Sequence, residues 1–486
     1  MSSAIERALA DAGLLIERRG GGALPDTFAS VTDDSRAVGP GTLFVAVRGS
    51  ARDGHDFLAA AEKAGAGAAI VEDPTRTTLP VFVVRDARAA AAVAAAASQG
   101  FPATRVRAIG VTGTNGKSTT VGILRHLLDE PAARSASVGT IGVFIGSDGE
   151  ELPGGHGLTT PGPIELQGLL RTLVDRGVRT VAMEVSSHSL DQRRVEGIRF
   201  DAATFTNLTR DHLDYHKTMD AYLAAKARLI SYLSRDGVAV VNADDPHWSQ
   251  LPQAPRRVTF SGTGGKADVR ASEVRFVARG STWRLEMGGE THDVLLPLLG
   301  DFNVDNAVGA AATAWALGWA PATIAERLST VPQVPGRLEI VHDAPVVLRD
   351  YAHTPDALRR ALMAVRPFTR GRLIVVFGAG GDRDTGKRPQ MGAVGEQLAD
   401  VVVLTSDNPR TENPERILDD IEAGMTRPHD RIEDRTLAVA RALDLAGADD
   451  VVLLAGKGHE TYQVRGTTQY PFDERSIVQQ YYAAHA

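Results

Sequence analysis

The segment Ala108-Ile-Gly-Val-Thr-Gly-Thr-Asn-Gly-Lys-Ser-Thr-Thr120 sets two glycines, a lysine and a serine between a β-branched apolar run and an apolar pattern of helical spacing. Strand, glycine turn and helix in that order are what a phosphate cradle needs. Gly113 and Gly116 let the backbone turn tightly around Thr114 and Asn115 and bring its N–H groups to phosphate oxygens, while the helix N-terminus adds partial positive charge. Lys117 is placed to reach the terminal phosphates, and the hydroxyl of Ser118, with Thr119 beside it, to hold Mg²⁺. A strict G-x-x-x-x-G-K-[ST] would require glycine at position 111, where Val111 stands, so the spelling is a variant.

Lys226 is the second unusual residue. It falls within Met219 to Leu233, where Met219, Tyr222, Leu223, Leu229, Ile230 and Leu233 recur at helical spacing, and it sits in the middle of that apolar face. A lysine there must snorkel, pair with an acid or change its chemistry. Glu184 and His212 offer metal-ligand chemistry near the ends of neighbouring predicted strands, one imidazole being tolerable among oxygen ligands. His212 and His216 alone could also be read as a zinc pair, although sequence places no third nitrogen or sulfur ligand. Asn303 and Asn306 read equally well as caps of the helix that follows. Asp407-Asn-Pro-Arg410 taken alone is a turn with an arginine on it. The glycine turn Gly378 to Gly381, followed by Lys387 and Arg388-Pro389, fails the spacing of a phosphate loop.

The Gly-Thr-Asn-Gly-Lys-Ser spelling resembles the ATP loop of the Mur ligases and the related folylpolyglutamate synthetases, which use ATP to join a carboxylate to an amine. The full set of motifs spans nearly the whole chain in the right order and is similar to the Mur ligases that add the third residue of the peptidoglycan stem peptide. The resemblance implies ATP and two Mg²⁺ ions, with Lys117, Glu184, His212 and Lys226 as the catalytic set. It implies a carbamylated Lys226, a cation turned into an anion beside Mg²⁺, so that Ser118, Glu184, His212 and the Lys226 carbamate are the metal ligands. Gly113, Thr114, Asn115, Gly116, Lys117, Ser118 and Thr119 would hold the ATP phosphates, and Asn303 and Asn306 the base region. Arg337 and Asp350 resemble the residues by which a third domain closes onto ATP.

The same resemblance implies the substrates. Asp33-Asp-Ser-Arg36, with Ser35 as contact, and Gly49 to His55 look like a uridine-nucleotide portion. Thr159, Thr160, Ser186, Gln192 and Arg194 match positions that hold UDP-N-acetylmuramoyl-L-alanyl-D-glutamate. Asp407, Asn408, Pro409 and Arg410 match the members that add meso-2,6-diaminopimelate, with Arg383, Gly456 and Glu460 around the incoming amino acid. Diaminopimelate differs from lysine by a far carboxylate, which a guanidinium such as that of Arg410 can hold through two parallel hydrogen bonds, while Glu460 suits the distant ammonium. A lysine-adding member would usually carry another acid where Ser406 stands. The expected course is carboxylate attack on the γ-phosphate, then amine attack on the acyl phosphate. Three rivals stay in play: a lysine-adding ligase, a folylpolyglutamate synthetase, in which a uridine-type first domain has no role, and an ATP-binding regulator without catalysis. The retained Lys117, Glu184, His212 and Lys226 speak for an enzyme.

These side chains need sheets to carry them. Residues 1–103 mix short strands (Leu43 to Val47, Ala68 to Val71, Val81 to Val84) with an alanine-rich helix from Ala87 to Ser98. Strands are expected at Arg105 to Val111, Thr180 to Val185, Ala202 to Thr206 and Val238 to Asn242, and after a Pro/Gly linker near Val331 to Gly336 at Val346 to Arg349, Leu373 to Phe377, Val401 to Thr405 and Val451 to Leu454. The polar clusters fall just past strand ends, where open α/β sheets bind ligands. The expected class is α/β with three domains: a small N-terminal α/β uridine-nucleotide domain (1–103), a central P-loop ATPase domain with a mostly parallel sheet (104–333) and a C-terminal Rossmann-like domain (334–486).

Composition narrows the rest. A chain of 486 residues with 43% hydrophobic and 23% charged residues is ordinary for a globular protein of several domains. The net charge of −7 speaks against a general nucleic-acid binder, and the absence of cysteine excludes disulfides and thiolate metal sites. Met1-Ser-Ser-Ala-Ile-Glu-Arg-Ala carries charges where a secretory signal needs an apolar run. The uncharged stretch Ala307 to Ala325 is read as a buried helix ending near Gly318, not a membrane span, because Pro321 breaks it. A monomeric cytoplasmic protein with no membrane insertion is expected.

Overall fold

The computed structural model describes residues 3–20, 27–49, 52–155, 158–277 and 279–485. Met1, Ser2, Ser50 and Ala51, which fall in the N-terminal and Gly49-to-His55 readings, lie outside them. The chain divides into two compact units: 1–271 with 285–292 and 305–327, and 272–284 with 293–304 and 328–486.

The first unit carries two sheets. In the N-terminal one, β1 (Leu15–Arg19), β2 (Ser30–Thr32), β3 (Thr42–Val45), β4 (Ala68–Val71) and β5 (Val81–Val84) lie in the order β1-β5-β4-β3-β2, parallel except for β1. Helix Ala87–Ser98 buries nearly every residue against it, which only a run of alanines can do without spreading helix and sheet apart.

The central sheet holds β6 (Arg107–Thr112), β7 (Arg134–Gly139), β8 (Gly142–Ile145), β9 (Glu150–Leu152), β10 (Val178–Glu184), β11 (Phe200–Phe205), β12 (Leu233–Asn242) and β13 (Arg256–Ser261), in the order β13-β12-β11-β6-β10-β7-β8-β9. All neighbours from β13 to β7 are parallel, and β8 and β9 add an antiparallel edge. Parallel strands need helical crossovers on both faces, which is why β6, β10 and β11 read as continuous apolar runs. Gly110 within β6 has a packing reason: a Cβ there would lie 3.2 Å from Leu229 and the Phe200 ring. Three further strands follow, β14 (Val269–Val277), β15 (Gly280–Met287) and β16 (Glu290–Leu296). Helix Asp301–Ala316 begins before both Asn303 and Asn306, so neither asparagine caps it.

In the second unit β17 (Glu339–Asp343), β18 (Val346–Asp350), β19 (Leu373–Phe377), β20 (Val401–Leu404), β21 (Asp430–Arg431) and β22 (Val451–Ala455) are ordered β17-β18-β22-β19-β20-β21, with only β17 antiparallel. Along β19 Leu373, Val375 and Phe377 enter one core while Ile374 and Val376 enter the other, the period-two signature of a doubly covered sheet. A hairpin of β23 (Tyr462–Arg465) and β24 (Thr468–Pro471) follows β22. No described helix is long and apolar enough to cross a membrane.

Candidate active site

The phosphate loop sits between β6 and helix Lys117–Leu127, as expected. Gly113 and Gly116 both have positive φ, 152° and 84°, and a Cβ on either would run into Thr206 Oγ1 or Asn306 Oδ1 respectively. The segment after β11 holds the loop in shape: Thr114 N–H donates to Asn207 O (2.7 Å), Asn115 N–H to Asn207 Oδ1 (3.0 Å), and Thr206 Oγ1 to Asn115 O (2.7 Å). Thr209 N–H donates to Thr114 Oγ1 at 2.9 Å. Thr206 was legible only as the end of a strand, and residues 207–209 only as part of the polar cluster Asn207 to Asp214 past it. Their work as a clamp depends on β11 lying beside β6, which spacing along the chain does not reveal. Ser118 and Thr119 are buried in the first helical turn.

Lys226 corrects both ordinary readings of a lysine on an apolar face. Its helix ends at Ala227 and continues as a 3₁₀ turn, Arg228–Tyr232. The side chain does not snorkel, being 1% exposed, and no carboxylate lies within ion-pair distance of it among the described residues. Instead its Nζ donates to Gly113 O at 2.7 Å, with the Tyr222 ring 4.4 Å away. Lys117 Nζ donates to that same Gly113 carbonyl at 3.0 Å and to Thr114 O at 2.8 Å. Two lysines thus meet on one backbone oxygen. Burial drives the Lys226 amine well below its ordinary value, and the neighbouring charge of Lys117 adds to the effect, opposed by Asp211.

Glu184 ends β10 and is buried, with Oε1 accepting Thr140 N–H at 2.9 Å and Oε2 the Thr140 hydroxyl at 3.2 Å. From it runs a network through every residue matched to the dipeptide. The Thr140 and Thr159 hydroxyls lie within hydrogen-bond distance (3.1 Å), and Thr160 Oγ1 donates to Glu184 O (2.9 Å). Ser186 N–H donates to Thr160 Oγ1 (3.1 Å), and Arg194 reaches Thr160 O (2.9 Å) and Gln192 Oε1 (2.6 Å). Sequence reasoning missed Thr140, which lies in the turn between β7 and β8 and carries no motif.

His212 has left-handed backbone, φ 54°, uncommon for a residue with a side chain. Its ring lies 4.8 Å from His188 and 6.0 Å from Tyr222 between centroids. Burial, against the pull of Asp211, holds its pKa down at about 4, so at neutral pH it is an uncharged imidazole able to offer a lone pair to a metal. The zinc reading fails on geometry: His212 precedes the short helix Leu213–His216, and His216 Nε2 is hydrogen-bonded to Ser187 Oγ at 2.9 Å. Among the described residues no group of three or more His, Cys, Asp or Glu could hold a metal.

Ser35 stands half-buried in the 3₁₀ turn Ser35–Ala37, capped by Asp34. His55 is turned inward instead: Nδ1 meets Asp53 Oδ1 at 2.7 Å and Nε2 accepts Glu72 N–H at 3.1 Å, with no side-chain exposure. Both ring nitrogens are engaged, so His55 holds its loop and has none left for a nucleotide. Asn306 packs on Gly116, whereas Asn303 donates to Leu299 O at 2.7 Å. In the second unit the Arg337 guanidinium lies 4.8 Å over the Tyr351 ring. Asp350 accepts Leu338 N–H at 2.8 Å, and desolvation pushes its carboxyl up to about 6 against the pull of Arg337.

Arg383, Asp407, Asn408, Pro409, Arg410, Gly456 and Glu460 all fall in the second unit, at the β19, β20 and β22 ends and the loops beyond. The glycines at 378 and 381 are explained without phosphate: a Cβ there would strike Thr405 O or Pro409 O, so they let two loops press together. A Cβ on Gly456 would come within 2.6 Å of Asp407 Oδ2. Arg410, with φ 51°, donates from Nη1 to Gly381 O (2.8 Å), which leaves Nε and Nη2 without an acceptor among the described residues. Exposed Arg383 sits on the loop after β19 that carries Gly381. Sequence reasoning passed over Lys457, whose Nζ reaches Asn408 Oδ1 at 2.6 Å and Glu460 Oε2 at 2.9 Å. Its only signal was its place inside the Gly456-Lys-Gly-His-Glu460 cluster.

Residues 27–110 match the family description "Mur ligase family, catalytic domain", 111–314 "Mur ligase middle domain" and 336–458 "Mur ligase, glutamate ligase domain". A relative from Geobacillus kaustophilus (strain HTA426), named UDP-N-acetylmuramoyl-L-alanyl-D-glutamate--2,6-diaminopimelate ligase, is 43% identical over 94% of this chain and 95% of its own. One of the same name from Gloeobacter violaceus is 45% identical over 93% of each chain. A solved structure under that name is 34% identical, covers 94% of this chain and 95% of its own, and superposes with a TM-score of 0.68.

Proposed function

This chain belongs to the Mur ligase family, and from that premise we infer that it is an ATP-dependent ligase joining meso-2,6-diaminopimelate to UDP-N-acetylmuramoyl-L-alanyl-D-glutamate. The observation that carries the chemistry is the convergence of Lys117 and buried Lys226 on the Gly113 carbonyl of the phosphate loop. Moving a phosphoryl group is mainly a matter of positioning it and countering its charge. The loop N–H groups and the Lys117 ammonium serve that end.

The residues present fit a divalent cation in their donor chemistry: the Ser118 hydroxyl, the Glu184 carboxylate fixed by Thr140, the uncharged His212 imidazole and Lys226. A lysine held below its ordinary value keeps a fraction of neutral amine, which can add to CO₂ and become a carbamate, an anionic oxygen ligand. Mg²⁺ held by these residues would neutralise charge on the ATP phosphates. The chain's own part is to hold the dipeptide carboxylate in line with the γ-phosphate, for which the Thr159, Thr160, Ser186, Gln192 and Arg194 network lies beside Glu184. Attack there releases ADP and leaves an acyl phosphate. The diaminopimelate amine then attacks the acyl carbon, and orthophosphate departs with one oxygen of the original carboxylate. Both nucleotide substrates place the reaction in the cytoplasm, and we take the acting species to be a monomer.

Oxygen-18 in the dipeptide's reacting carboxylate tests this course. One labelled oxygen should appear in orthophosphate at each turnover, and label retained wholly in the amide or lost to water would overturn it.

Amino-acid choice rests on Arg410, whose Nη1 is anchored while Nε and Nη2 point a two-pronged edge elsewhere. Arg410→Lys should raise the KM for diaminopimelate by about 10-fold or more, because a point charge replaces a paired contact, with the KM for ATP nearly unchanged. Initial rates against both substrates check it. An unaltered diaminopimelate KM removes Arg410 from the pocket, and faster turnover of lysine than diaminopimelate by the unmodified protein would reassign the substrate.

A further inference from the structure

Lys457 is the least expected charge in the second unit. Its side chain has no exposure, and burying an ammonium is costly unless its N–H donors find acceptors. The acceptors here are all pocket residues: Asn408 Oδ1 at 2.6 Å, Glu460 Oε2 at 2.9 Å and, at ion-pair range, Asp407 Oδ1 at 3.8 Å, with the Tyr462 ring 5.6 Å from Nζ. Each contact constrains a neighbour. Asn408 Oδ1 also accepts Val464 N–H at 2.8 Å, which fixes the amide so that Nδ2 donates to Glu460 Oε2 at 2.9 Å. Glu460 Oε2 therefore takes two donors, and Oε1 is left without a partner among the described residues.

The same strand holds the opposite arm. Arg410 N–H donates to Val464 O at 3.1 Å and Arg410 O accepts Gly466 N–H at 2.6 Å, so Val464 bonds to Asn408 on one side and Arg410 on the other. Lys457 thus locks an acid, an amide and the backbone carrying a guanidinium into one rigid piece. Two carboxylates, Asp407 and Glu460, face its single positive charge, which leaves a net negative charge for an incoming ammonium.

We propose that Lys457 is a positioning residue that sets the separation of Glu460 from Arg410 and thereby the choice of amino acid. The idea rests on the reading of diaminopimelate as substrate. The far end of meso-diaminopimelate bears an ammonium and a carboxylate on one carbon, so the acid and guanidinium that receive them must stand at a fixed distance. Lysine presents the ammonium alone and tolerates a displaced Glu460. A merely structural lysine would affect both amino acids alike.

Lys457→Met keeps the stem and removes the charge. It should raise the KM for diaminopimelate by about 10- to 100-fold and shrink the diaminopimelate-over-lysine preference in kcat/KM by a similar factor, the scale of a lost charge-assisted hydrogen bond. The KM values for ATP and the nucleotide dipeptide should stay within about 2-fold, since the residues assigned to them above do not include this cluster. A fall in kcat with KM and preference unchanged overturns the proposal. Where Lys457→Met does not fold, Asn408→Asp gives the second reading, since it removes the donor to Glu460 at nearly constant shape. The same shift in preference is expected, and an unchanged preference overturns the proposal. Equilibrium dialysis of labelled diaminopimelate against the unmodified protein and the variants separates the two inferences. Tight binding without amide formation by the unmodified protein defeats the reaction reading and leaves the positioning role to the comparison with the variant. No binding by the unmodified protein defeats both.

Discussion

Replacing Lys226 by alanine should remove nearly all ADP formation, a fall on the order of 10³-fold or more, while leaving a folded protein. The lysine is buried on the phosphate loop with a backbone carbonyl and an aromatic ring as its neighbours, and with a second lysine on the same oxygen. No acid in contact compensates its charge, so burial shifts its titration toward the neutral amine from which, in the proposed function, the carbamate forms. Alanine deletes that anionic ligand and opens a space in which a small carboxylate can stand. Acetate or bicarbonate should therefore restore part of the rate in a saturable manner. Full activity of the variant in buffer stripped of CO₂ would sink the carbamate. Stability gives an independent check. A group whose folded pKa lies below the unfolded value binds fewer protons in the native state, so it makes stability rise with pH through the window beneath the ordinary 10.5. Lys226→Ala should flatten that part of the profile, as seen by denaturant midpoints at several pH values.

Glu184→Gln should lower kcat by about 10²- to 10³-fold with a raised Mg²⁺ requirement. Both carboxylate oxygens already accept hydrogen bonds from Thr140, so the charge is held in one orientation beside the Thr159 and Thr160 network. The amide matches the acid in size but brings a donor to face a donor, at a cost of about 1–3 kcal/mol in stability, and removes the negative charge that a cation would meet. The decisive measurement is ADP formation across a magnesium titration. A variant with near-normal kcat and an unchanged magnesium midpoint would exclude Glu184 from the metal site and leave it as a turn-holding residue.

The catalytic strands and loops were legible because local patterning agrees with the fold. The apolar run at 107–112, the glycine turn and the helix after Lys117 are consecutive in sequence and remain so in space. Strands Ala68–Val71, Val81–Val84 and Leu373–Phe377 and helix Ala87–Ser98 fall on the residues read for them, since short buried runs bounded by turn residues leave little freedom. Element ends were less secure: β11 starts at Phe200 and β12 at Leu233, earlier than the spacing suggested, because pairing with a neighbour extends a strand past its apolar centre.

What sequence could not carry was partnership. It marked Lys226 as odd and offered snorkelling or an ion pair, but the partner is a carbonyl 113 positions earlier, brought over by the parallel β6–β11 pairing. It matched His55 to a uridine site, whereas the Asp53 carboxylate and the Glu72 backbone N–H had already taken its two ring nitrogens. It passed over Lys457, whose meaning exists only when β20, β22 and β23 bring Asn408, Glu460 and Val464 around one ammonium. The order of residue types determined the family, the phosphate loop and the sheets, since these are written in contiguous stretches under local steric and hydrophobic rules. Tertiary packing alone decided which polar groups are buried together, and so which hydrogen bonds they must make and which charges they can keep, because the cost of burying a charge depends on everything that surrounds it.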